Sequence, residues 1–145
     1  MPAAPVIANN MPLVALWVLG RFDLLRDLYG QVLIPDAVRA EFLAIQRPQR
    51  ESALSSATWI VTVPLGHPQH ALAYAGLDEG EAAVLALAEE RQAALVIMDE
   101  RNGRRYGQRL GFPMAGTIAV LLLAKERGLL GAVGPSLAAL LDAGL

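Results

Sequence analysis

Four side chains stand out for their type and their place in the pattern: Asn9, Glu41, Glu81 and Asp99, with Glu100 beside the last. Glu41 falls on the stripe Val38, Glu41, Phe42, Ile45, and Glu81 shares a helical face with Val84, Leu85 and Ala88. A carboxylate on an apolar stripe is expensive without a partner. Clustered carboxylates repel one another unless a cation holds them, and hard oxygen ligands are what Mg²⁺ or Mn²⁺ prefers. Such an ion polarises a phosphodiester and lowers the pKa of an attacking water. Arg101, Arg104, Arg105 and Arg109 follow directly. Arg101, Arg105 and Arg109 are spaced one turn apart and share a side, in reach of phosphate. Each residue also has a plainer reading. Asp78 and Glu81 match a capping box. Asn9 and Asp99 suit helix caps, Glu41 can reach solvent, and the arginines can be a solvated face. His67 and His70 read as polar loop groups.

The elements that must position these residues alternate. Apolar runs at residues 5–8, 31–34, 59–63 and 95–98 read as strands. Residues 112–115 read as a short edge strand, because Pro113 is tolerated only at an edge. Helices are expected over residues 13–19, 21–29, 35–45, 46–56, 78–92, 101–110, 117–127 and 135–143. Pro12 and Pro35 would open two of them. Residues 65–76 read as a linker. This alternation predicts a parallel sheet covered on both faces. Right-handed crossovers then bring every strand's carboxyl end to one edge, where ligands bind. Asn9 and Asp99 follow the first and fourth strands. Glu41 lies in the second turn after the second strand, and Glu81 opens the helix before the fourth. The four therefore meet at that edge.

Composition sets the bounds. A chain of 145 residues is expected to form one domain over 1–145. The apolar fraction of 54% implies a dense core or a covered face. A homodimer is expected, with apolar residues to spare in 13–19 and 137–141. There is no cysteine, which excludes disulfides and thiolate metal sites and fits a reducing, cytoplasmic setting. No signal peptide and no membrane span are expected. The net charge of −2 gives nucleic-acid binding no support by itself. The absence of a glycine-rich phosphate loop argues against a small-molecule-binding α/β domain.

Several stretches together resemble a known family. They are Val6-Ile7-Ala8-Asn9 through Leu16, Gly20-Arg21-Phe22-Asp23-Leu24-Leu25, and Ile34-Pro35-Asp36-Ala37-Val38 with Glu41. Leu77-Asp78-Glu79-Gly80-Glu81-Ala82, Ile97-Met98-Asp99-Glu100-Arg101, Gly116-Thr117 and Ala124-Lys125-Glu126-Arg127-Gly128-Leu129 complete them. Their order and spacing resemble PIN-domain proteins, in particular small prokaryotic members related to VapC-type toxin ribonucleases. The resemblance implies a three-layer α/β/α fold with a parallel sheet in strand order 3-2-1-4-5. It implies Mg²⁺ or Mn²⁺ held by Asn9, Glu41, Glu81, Asp99 and Glu100, and cleavage of single-stranded RNA by metal-activated water. It also implies a cognate antitoxin protein as partner. Asn9 stands where PIN nucleases generally have their first Asp, Met11 where a small hydroxyl residue is usual, and Glu100 where a second Asp is common. The alternative is a catalytically weak or inactive PIN-fold module that binds RNA or a partner.

Overall fold

A computed structural model describes residues 4–145. Five strands, β1 (Val6–Ala8), β2 (Val32–Pro35), β3 (Ile60–Val63), β4 (Leu95–Ile97) and β5 (Met114–Ala115), form one sheet. All pairings are parallel and the order is β3-β2-β1-β4-β5. The central strands are buried runs of Val, Leu and Ile, as a sheet covered on both faces requires. Helices α1 (Asn10–Val18), α2 (Asp23–Tyr29), α3 (Asp36–Leu43), α4 (Arg47–Ser56), α5 (Glu79–Arg91), α6 (Arg101–Arg109), α7 (Thr117–Glu126) and α8 (Gly134–Asp142) flank it. The expected three-layer fold and strand order are both found.

Local differences from the sequence reading have identifiable causes. Helix α1 starts at Asn10, so Pro12 sits in its first turn, where an N–H has no helical partner in any case. Pro35 ends β2 opposite Val63 instead of opening α3. The β1 ladder stops at Leu33, so no hydrogen bond is lost there. Helix α3 ends at Leu43, and Ile45, expected on its inward stripe, is 61% exposed. Residues 65–76 are not a plain linker: Pro68–Tyr74 forms a 3-10 helix against α5. Glu90 holds its start by accepting from the Gly66 and His67 N–H groups at 2.6 and 3.2 Å. His70 lies between Glu89 and Glu90, 3.3 Å from each. Tyr74 is buried at its other end, edge-on to Tyr106 of α6.

Helix α5 is buried without a break from Gly80 to Ala88. The sheet, α3, α6 and the 3-10 segment surround it, and its alanines suit both the close approach and the helix. In α1, Leu13, Val14, Ala15 and Leu16 are core residues, so most of the apolar surplus expected in 13–19 is spent on the interior, while Val18 is exposed. One buried cation stands at the α3–α4 corner. Arg50 is 7% exposed, stacks over Trp17 and Phe42, and donates to the Phe42 carbonyl at 3.0 Å. It makes no ion pair among the described residues. Among the same residues, no helix is long and apolar enough to cross a membrane.

Candidate active site

The carboxyl edge of the sheet carries two adjoining surroundings. The acidic one is built around Gly80. Asn9 leaves β1 with its N–H donating to the Ile97 carbonyl at 2.9 Å, which locks its backbone between β1 and β4. It precedes α1 in extended conformation, yet its side chain makes no cap hydrogen bond. The residue is 5% exposed, and its Oδ1 is buried without a hydrogen-bond partner among the described residues. A methyl group placed on Gly80 would lie 2.7 Å from Glu41 Oε1, 3.5 Å from Asn9 Oδ1 and 3.6 Å from Asp78 Oδ1. Three oxygens from three elements thus converge over a bare glycine. Glu41, Asp78, Glu79, Ala37 and Ala40 line the open side, a cavity of about 420 Å³.

Glu81 follows one residue later and is 7% exposed. The capping-box reading of it holds. It forms the capping box of α5, with its N–H donating to Asp78 Oδ1 at 2.8 Å and its Oε1 accepting from the Asp78 N–H at 3.4 Å. It also stands at the edge. Burial, and then the hydrogen bond and charge of Asp78, push its carboxyl from 4.5 up to about 7, and the charge of Glu100 adds to this. Glu41 is exposed as a residue, but its carboxylate end lies against Gly80. Its pKa is raised by burial and by the charges of Asp78 and Glu79, against a hydrogen bond from Asn10. Both carboxyls are raised first by burial and then by neighbouring carboxylates.

The second surrounding is built around Gly116. Asp99 follows β4 and does not cap α6, so its plainer reading does not apply. Its neighbour Glu100 caps the helix, accepting from the Gly103 N–H at 2.7 Å. Asp99 instead reaches α7, accepting from the Thr117 N–H at 2.7 Å and Thr117 Oγ1 at 2.6 Å. A methyl group on Gly116 would lie 2.7 Å from Asp99 Oδ1 and 3.6 Å from Arg104 Nη1. Asp99, Arg101, Arg104, Arg105 and Gln108 line a cavity of about 440 Å³. Arg109, expected with Arg101 and Arg105, does not line it. Its Cα lies about 12 Å along the axis from that of Arg101, while Arg104 remains within the first turns.

The structure brings oxygens of Asn9, Glu41 and Asp78 to Gly80 and joins Glu81 to Asp78, while Asp99 lies against Thr117 and Gly116 and Glu100 caps α6. It adds Asp78, which the sequence shows only as a cap, and Thr117, which it shows only as a helix start. His67 and His70 lie away from the edge, on Glu89 and Glu90. Among the described residues, no group of three or more Asp, Glu or His side chains is spaced to hold a metal ion. The donor chemistry nevertheless fits a hard divalent ion. Asn9 Oδ1 is an unpartnered buried oxygen, Glu41 and Asp78 face it, and Mg²⁺ usually keeps several waters as ligands.

A parallel sheet in this order, with oxygen donors gathered at its carboxyl edge, defines an α/β protein whose site is built for charge. A family model described as a PIN domain matches residues 5–145. The chain belongs to the PIN-domain family, a nuclease-type fold that typically uses divalent metals and binds nucleic acid. No curated protein matches it.

Proposed function

We propose that this chain, as one domain over residues 1–145, is a metal-dependent endoribonuclease that cleaves single-stranded RNA. The observation that carries the reading is the convergence of Asn9, Glu41 and Asp78 oxygens over Gly80, with Glu81, Glu100 and Asp99 on the same edge. Glu41 and Asn9 would hold Mg²⁺ or Mn²⁺, with Glu81, Asp99 and Glu100 nearby to ligate directly or through water. When bound, such an ion polarises the phosphodiester and lowers the pKa of the attacking water. With the Glu81 carboxyl pushed up to about 7, a cation bound at this edge would displace a proton from it. Thr117 fixes the orientation of Asp99. Arg101, Arg104 and Arg105 contact the phosphates of the strand.

The toxin role, with a cognate antitoxin and a cytoplasmic location, belongs to the same proposal. So does a homodimer, although its support moves. Leu13 and Leu16 are core, whereas Ile118 and Leu122 are exposed one turn apart on α7, and Leu141 on α8 is 72% exposed. A second reading, a PIN-fold module that binds RNA or a partner without cleaving, is favoured by two observations. Asn9 supplies a neutral amide where a carboxylate would otherwise stand, and the described carboxylates form no ready metal cluster.

Incubation of single-stranded RNA with Mg²⁺, with Mn²⁺ and with EDTA separates the two. The nuclease reading expects cleavage with either ion, none in EDTA, and loss in Asp99→Asn and Glu81→Gln. Undiminished cleavage in EDTA, or in both variants, would end it. RNA binding without cleavage under any ion would establish the second reading.

A further inference from the structure

The cavity beside Asp99 has a charge balance opposite to that of its neighbour. Arg101, Arg104 and Arg105 come from the first turns of α6, and none makes an ion pair among the described residues. Asp99 is the one carboxylate lining the cavity, and both its oxygens already accept from Thr117. Three guanidinium groups against one carboxylate leave a formal surplus of two positive charges.

An internal phosphodiester brings a single negative charge, and a backbone groove usually meets such charges one at a time along its length. A terminal phosphomonoester brings about −1.5 to −2 at pH 7 and three strong acceptor oxygens. Guanidinium forks match those oxygens in pairs. Gln108 adds an amide that can both donate and accept, suited to a sugar hydroxyl or a base edge. The cavity, about 440 Å³, has room for a nucleotide as well as its phosphate.

We infer that the cavity of Arg101, Arg104 and Arg105 is a subsite for a nucleotide phosphomonoester, supplied by the end of an RNA strand or by a free mononucleotide. The inference rests on the nucleic-acid reading of this edge, and it adds recognition of a phosphorylated end to recognition of a backbone. A strand seated there places its next linkages toward Asp99 and the acidic pocket. Cleavage near a phosphorylated end is then favoured over cleavage far inside a strand, and mononucleotides act as inhibitors.

Binding in EDTA tests this without metal or cleavage. Short 2′-O-methyl single strands of one sequence carry a 5′-phosphate, a 3′-phosphate or neither, and fluorescence anisotropy reads their affinities. One phosphorylated strand is expected to bind roughly tenfold tighter than the unphosphorylated one. Arg104→Gln and Arg105→Gln should each remove that advantage, and Arg109→Gln should keep it. Competition then separates the sources. Adenosine monophosphate that displaces the strand at concentrations where adenosine does not shows that free nucleotides enter. Failure of both competitors, with the strand advantage intact, assigns the site to strand ends. Equal affinity of all three strands overturns the inference, as does an advantage that survives in both arginine variants. Failure of the nuclease reading looks different. A phosphate advantage without cleavage in any metal leaves the subsite standing. Cleavage in Mn²⁺ without a phosphate advantage leaves the nuclease and removes the subsite.

Discussion

Gly80 and Gly116 each leave room for a carboxylate, yet their surroundings are electrostatic opposites. At Gly80, Glu41 meets other oxygens: Asn9 Oδ1, to which no described group donates, and Asp78. At Gly116, Asp99 meets two donors from Thr117, and the Arg104 guanidinium also lies near the glycine. The first carboxylate is crowded by negative charge, and the second is fully hydrogen-bonded. The same device, a missing side chain that lets an oxygen approach backbone, thus makes a place that lacks a cation and a place that already has donors. Stability alone does not ask for the first arrangement, because burying unpaired oxygens is unfavourable. A site that waits for a positive ligand accounts for it.

The largest expected effect tests the acidic side directly. Glu41→Gln should lower Mn²⁺-supported cleavage by more than about a hundredfold, beyond the 10–100-fold typical of residues that only orient a ligand. Single-turnover assays over a metal titration would show it, and a loss under tenfold would move Glu41 out of the ion's shell. Asn9→Asp sharpens the contrast from the other direction. It should raise Mn²⁺ affinity roughly tenfold and lower the metal-free melting temperature near neutral pH, since it adds like charge to a crowded pocket. Calorimetric titration and melts of both forms would decide, and equal affinities with equal melts would remove Asn9 from the site.

Gly80→Ala separates site from fold. The methyl group displaces the Glu41 carboxylate, so Mn²⁺ affinity should fall by about tenfold. Helix propensity should offset the local strain, leaving stability within about 1 kcal/mol of wild type. A variant that melts normally and binds Mn²⁺ normally would show that the convergence over Gly80 has no role. Thr117→Val probes the satisfied side. It removes one of the two donors to Asp99 and should cost about 1 kcal/mol, measured by urea unfolding. A cost near zero would mean that water replaces the hydroxyl without loss.

A further effect is in pH. The folded-state pKa of Glu81 is raised from 4.5 to about 7. Its protonated form is therefore favoured by the fold. The stability it contributes is fully present below pH 4.5 and is lost as pH rises toward about 7. Metal-free melts should decline across that window, and Glu81→Gln should flatten the decline. An unchanged slope in the variant would assign the pH dependence elsewhere.

Much of this edge was legible in the chain, and the exceptions share a cause. Strands and most helices follow from local periodicity, and the carboxyl edge follows from their alternation. Asn9, Glu41, Glu81 and Asp99 stand out in the sequence because each sits at an element boundary or on an apolar stripe. Thr117 was missed because its partner is 18 residues away. The 3-10 segment was missed for the same reason: Glu90, which pins Gly66, lies 24 residues on. Helical phase groups Arg109 with Arg101 but says nothing about distance along the axis, and Arg109 is not among the residues that line the cavity. Ile45 was placed inside by a stripe that outlasted its helix. Local pattern finds what a residue's own element decides, and is silent on what a distant element supplies.

Arg50 carries a consequence for how this protein tolerates change. Its guanidinium is held between two aromatic rings and bonded to the Phe42 carbonyl, next to Glu41. A lysine keeps the charge but loses the flat surface that stacks and the fork that reaches the carbonyl. In a survey of all single substitutions, position 50 should behave as a core position, rejecting lysine nearly as firmly as aspartate. Arg47, exposed one turn earlier and paired only with Glu51, should accept almost anything. Two arginines on one short helix would then score as different kinds of residue, and the intolerant one would mark the corner on which Glu41 is mounted.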